Sequence, residues 1–126
     1  MATSILIVDD ESRLTKALSS ILKASGYVVS AVENGRQALS ALQASEFDLV
    51  LLDILMPEMD GLEFLKELAD AKSTIKVVAM SGQPCWLRAA KELGAKAALH
   101  KPISEDHLLT VINETLDLMA APLGLP

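Results

Sequence analysis

Asp9-Asp10, Asp53 and Ser81-Gly82 each follow directly on a short apolar run, Lys101-Pro102 follows one after His100, and together they offer three carboxylates, a hydroxyl and an ammonium. Taken singly each has an ordinary reading. An acidic pair suits a strand end or a helix N-terminus, and a serine before glycine is a common turn residue. Gathered in one cleft they call for a cation, because two carboxylates about 4 Å apart repel by roughly 4 kcal/mol at an effective dielectric of about 20. All-oxygen donors suit a hard divalent ion, and Mg²⁺ is typically held by one or two carboxylates, waters and phosphate oxygens. Lys101 adds a point charge for a phosphate oxygen, and Ser81 adds a hydroxyl for another. An aspartate among them can itself carry a phosphoryl group as a covalent intermediate.

Such a cleft requires elements that bring four distant segments to one edge. Five apolar runs, Ile5–Val8, Tyr27–Val32, Leu49–Leu52, Ile75–Met80 and Ala97–Leu99, alternate with amphipathic segments, the pattern of βαβ units on a parallel sheet. Leu14, Ala17, Leu18, Ile21 and Leu22 form the stripe of a first helix that Gly26 ends. Ala38, Leu39 and Leu42 mark a second after Asn34-Gly35, and Leu62, Leu65, Leu68 and Ala69 a third that starts at Asp60 with Glu63 in a capping box. A short fourth helix runs near Cys85 to Leu93, opening near Pro84. The fifth starts at Ser104, buries Leu108, Leu109, Ile112, Leu116 and Met119, and closes at Pro122. Near-continuous apolar strands imply helices on both faces, hence a (βα)5 doubly wound five-stranded parallel sheet. In such sheets ligands bind outside the carboxyl ends of the strands, where the four polar segments fall.

A length of 126 residues suits one domain, and the lone Cys85 gives no internal disulfide. No stretch nears the roughly 20 apolar residues of a membrane span, and the apolar run after Met1 breaks at once in Asp9-Asp10-Glu11, unlike a signal peptide. Cytoplasmic residence is the expectation. A net charge of -6 without a basic stripe argues against direct nucleic-acid binding.

From Ile5 to about Met119 the chain resembles the receiver domains of bacterial response regulators. The resemblance is carried by Asp9-Asp10, the stretch Asp53-Ile54-Leu55-Met56-Pro57-Glu58-Met59-Asp60-Gly61, Ser81-Gly82 and Lys101-Pro102, in order and at strand ends. It implies a flavodoxin-like strand order 2-1-3-4-5 and a single receiver domain over 1–126, with a core of about 4–119 and a tail or linker stub at 120–126. It further implies that Asp53 accepts a phosphoryl group from the phosphohistidine of a histidine kinase or histidine phosphotransfer protein. Asp10 and Asp53 are then direct Mg²⁺ ligands, Asp9 acts through water, and the Leu55 backbone carbonyl completes the protein's share. Lys101 pairs with the acceptor and then with the phosphoryl group, Ser81 swings toward it, and the Lys101-Pro102 bond is cis. Leu55 and Gln83 fall where the family tunes the lifetime of the phosphorylated state. The output passes to a downstream effector protein or to a C-terminal output domain.

The chain departs from the family at Ala98, where receivers usually carry a Tyr or Phe that changes rotamer with the switch, and Pro84 suggests a tighter loop or a shortened fourth helix. Glu58 and Asp60 read as loop and capping residues, Cys85 as a small apolar residue, Trp86 as a packing residue, and His100 and His107 as surface residues. Three functions compete: a signalling domain that catalyses only its own phosphorylation and dephosphorylation, an unphosphorylated pseudo-receiver that binds partners, and a phosphohydrolase. The last lacks a second acid/base carboxylate, since Ile54-Leu55 follow Asp53.

Overall fold

The structure is a computed structural model and describes residues 3–55 and 60–116. Expectations placed on Met56, Pro57, Glu58 and Met59, and on Met119, Pro122 and the rest of the tail, lie outside the described residues. The elements alternate as β1 (Ser4–Val8), α1 (Ser12–Ala24), β2 (Val28–Val32), α2 (Gly35–Ala44), β3 (Leu49–Asp53), α3 (Gly61–Asp70), β4 (Lys76–Ser81), α4 (Pro84–Glu92), β5 (Ala97–His100) and α5 (Glu105–Thr115). The strands form one sheet in the order β2-β1-β3-β4-β5, every neighbouring pair parallel.

Alternation along the strands divides the core in two. Leu6, Val8, Val50, Leu52, Val77 and Ala79 pack with Phe64, Leu65 and Ala90 beneath α2, α3 and α4. On the opposite side Ile5, Ile7, Leu49, Leu51, Val78, Met80 and Leu99 pack with Leu18, Leu22, Leu108 and Ile112 of α1 and α5. Between their end residues the middle strands β1, β3 and β4 are therefore wholly apolar. The expectation that all strands are covered fails at β2, an edge strand with Val28 52% exposed. Edge position follows from strand order, and a single Ser30 among the four apolar residues of β2 does not mark it.

Local chemistry sets the helix ends. Asn34, Asp60 and Ser104 accept the backbone N–H groups of Gln37, Glu63 and His107 at 2.9, 3.0 and 3.1 Å. Gly26, at φ +96°, follows the C-terminus of α1 in the left-handed region open to glycine. Tyr27 belongs to this turn and not to β2, because its N–H donates to the Leu22 carbonyl at 3.1 Å. Ile75 likewise precedes β4, while Asp53 and Ser81 are the last residues of β3 and β4. Ala17 and Ala69 are exposed and not part of the buried stripes, which are narrower than the apolar spacing suggests, and Phe64 takes the buried place on α3. Cys85, read as a small apolar residue, is exposed in the first turn of α4, whereas Trp86 packs on the core.

Candidate phosphoacceptor and metal site

All four polar segments reach the carboxyl edge of the sheet. Asp9 follows β1, and its Oδ1 accepts the Glu11 N–H at 2.9 Å, which turns the chain into α1 with the carboxylate facing inward. Asp9 is 2% exposed, whereas Asp10 beside it is open to solvent. Asp53 ends β3, the central strand, and is buried as well. One oxygen from each of Asp9, Asp10 and Asp53 falls within 4.8 Å of the others.

Lys101 answers this negative charge only in part. Its backbone N–H donates to the Ser81 carbonyl at 2.9 Å, extending the β4–β5 pairing one residue past the strand. The peptide to Pro102 is cis, as the resemblance implies. From there Nζ reaches Asp53 Oδ1 at 3.3 Å and Asp9 Oδ2 at 3.7 Å. Burial, followed by the Asp9 charge, pushes the Asp53 carboxyl up to about 6 although Lys101 pulls the other way. Burial also raises Asp9, against the pull of the Glu11 N–H and Lys101. Asp9 Oδ2 is buried with no hydrogen-bond partner.

A buried carboxylate oxygen without a donor, beside two more carboxylates and a single ammonium, fits a divalent cation. The donors are all oxygen, which suits a hard ion.

Ser81 is buried at the end of β4, and its Oγ accepts the Gln83 N–H at 3.1 Å, so the hydroxyl fixes the start of α4. The Ser81 hydroxyl makes no hydrogen bond to the Asp53 carboxylate or to Lys101 Nζ. Leu55 is 49% exposed two residues beyond Asp53, and Gln83 and His100 are exposed. Ala98 is half-buried on β5, paired in register with Ala79.

Gly61 is a positioning residue whose role emerges only in the folded chain. A Cβ there would lie 2.7 Å from Ile54 Cα and 2.9 Å from the Asp53 carbonyl oxygen. Its N–H donates to the Ile54 carbonyl at 2.8 Å, so α3 is docked on the backbone directly after Asp53. A glycine immediately after a capping aspartate is the sequence signal for such a close approach.

Comparison with known proteins agrees with this geometry. The model of the response regulator receiver domain matches residues 5–113. The chain is 41% identical over 120 residues to the chemotaxis protein CheY of Bacillus subtilis, covering 93% of this chain and 100% of that protein. It is 35% identical to the transcriptional regulatory protein CpxR homolog of Haemophilus influenzae, covering 95% of this chain but 53% of that longer protein. Among solved structures, the receiver domain of NtrX from Brucella abortus superposes with a TM-score of 0.84 at 30% identity, covering 90% of this chain and 98% of that one. Fold, site and sequence thus converge: this chain belongs to the response regulator receiver domain family of two-component signalling.

Proposed function

We propose that Asp53 is the phosphoacceptor and that Asp9, Asp10, Asp53 and the Leu55 backbone carbonyl hold Mg²⁺. The observation that carries this reading is the buried Asp53 carboxylate at the carboxyl edge, 3.3 Å from Lys101 Nζ and grouped with Asp9 and Asp10 within 4.8 Å. Bound there, Mg²⁺ supplies positive charge that offsets repulsion between the carboxylates and the incoming phosphoryl oxygens.

The chain's own residues do the rest. An Asp53 oxygen attacks phosphorus, the phosphorus–nitrogen bond of the donor phosphohistidine breaks, and its electron pair returns to the imidazole. Lys101, already beside the attacking carboxylate, follows the charge onto the phosphoryl oxygens. Ser81 exchanges its bond to the Gln83 N–H for one to the phosphoryl group, which frees the start of α4. Ala98 offers no aromatic ring to follow that motion, so the change is carried by the Ser81–Gln83 segment and α4.

The chain then acts as one receiver domain with no substrate beyond its own phosphoryl group. It works in the cytoplasm, between a histidine kinase or histidine phosphotransfer protein and a downstream effector or output domain. The pseudo-receiver reading is not favoured, because Asp9, Asp10, Asp53, Ser81 and Lys101 are all present. Incubation with acetyl phosphate and Mg²⁺ tests the proposal: the intact mass should rise by one phosphoryl group, and Asp53→Asn should abolish the gain. An unmodified, well-folded wild-type protein would refute it.

A further inference from the structure

We infer that this chain forms a two-fold homodimer through the face made by α1 and α5. The inference is independent of the phosphoacceptor reading and rests on opposite charges at matching heights on two helices that share one side of the sheet.

Helix α1 carries Arg13, Lys16 and Lys23 and no acidic residue, although the chain as a whole is acidic. With Ser20, these residues step three and four positions apart on the side opposite the buried Leu18 and Leu22, and all are exposed. Helix α5 carries Glu105, Asp106 and Glu114 and no lysine or arginine. Asp106, Thr110 and Glu114 step four apart, opposite the buried Leu108 and Ile112, and are exposed as well. None of these charges is paired among the described residues, since both ion pairs found there belong to Lys101.

The two helices cover the same core layer, and both descend from the carboxyl edge, one after Asp9-Asp10 and the other after Lys101-Pro102. The Tyr27 hydroxyl, just past α1, donates to Asn113 Oδ1 near the end of α5, so the lower ends are neighbours. Arg13 to Lys23 spans about 15 Å of helix and Asp106 to Glu114 about 12 Å. Turning a second copy about an axis parallel to the helices, between α1 and α5, lays its α5 over α1 and its α1 over α5. Upper ends then meet upper ends. Arg13 and Lys16 face Asp106 of the other copy, Lys23 faces its Glu114, and symmetry repeats each contact. The alternative axis, across the helices, would set α1 against α1 and like charge against like. The small side chains of Ser20 and Thr110 at mid-height permit close approach. A partner of single charge would match one helix and be repelled by the other, whereas a second copy matches both.

Sedimentation velocity on the full chain decides the matter, with Lys23→Glu and Glu114→Lys as probes. Both sites are exposed, and circular dichroism checks that each variant is folded. The wild type should self-associate reversibly and less at high salt, and each single reversal should weaken association about tenfold. An equimolar mixture of the two variants should recover it. In the mixed dimer the two reversed side chains meet each other at one contact and the two native ones meet at the other, so opposite charges face at both. A wild type monomeric up to its solubility limit, reversals without effect, or a mixture no stronger than its components would each overturn the inference.

Discussion

Lys101 reaches across β4 to set its ammonium 3.3 Å from Asp53, yet the Asp53 carboxyl still titrates at about 6. One partly solvated cation, shared with Asp9 at 3.7 Å, does not balance the cost of burying two carboxylates. The resting site is thus short of positive charge, which makes it receptive to a metal ion.

That imbalance predicts how stability depends on pH. Asp53 has a folded pKa near 6 against 3.8 for the free side chain, so between these values the folded state holds more protons than the unfolded one. Metal-free stability should therefore fall as pH rises through that window, with the full cost present above pH 6. Asp53→Asn should remove the Asp53 share of this slope, leaving the smaller part that the raised Asp9 carboxyl contributes, and stabilise the metal-free protein at neutral pH by up to about 3 kcal/mol. Urea titrations at several pH values in chelator are the measurement. Parallel profiles for the two proteins would contradict it.

Lys101→Met should act in the opposite direction. With the ammonium gone, Asp9 and Asp53 face each other uncompensated, and metal-free stability at neutral pH should drop by about 1–3 kcal/mol, below the range of a fully buried pair because Lys101 is partly solvated. Mg²⁺ should then raise the unfolding midpoint more in this variant than in the wild type. Equal responses to Mg²⁺ would show that lysine and metal do not share the same carboxylates.

Gly61→Ala should be costly for a reason confined to backbone. The new Cβ would meet Ile54 Cα at 2.7 Å, and backbone cannot turn away as a side chain can. A loss of about 1–3 kcal/mol is expected, with slower phosphoryl uptake as the chain beyond Asp53 is displaced. An unchanged urea midpoint would indicate that α3 docks more loosely than described.

Much of this was legible in the sequence because parallel strands leave few arrangements. Once five apolar runs alternate with helices, polar residues closing those runs must share an edge, and Asp9, Asp53, Ser81 and Lys101 do. Capping chemistry is equally local, so Asp60 and Ser104 could be placed from their neighbours alone. Solvent exposure is set by neighbours in space. Ala17, Ala69 and Cys85 are small enough to sit on either side of a helix, and β2 is exposed because it ends the sheet. The unsatisfied oxygen of Asp9 and the contact of Gly61 with Ile54 exist only once distant segments are packed.

Borohydride reduction of the phosphorylated protein, followed by peptide sequencing in the mass spectrometer, puts the central claim to its most direct trial. An aspartyl phosphate is reduced to homoserine, so position 53 should be read as homoserine after treatment with acetyl phosphate and Mg²⁺, and as aspartate when Mg²⁺ is chelated. Homoserine at position 9 or 10, or none anywhere in a protein that has gained phosphoryl mass, would contradict the account.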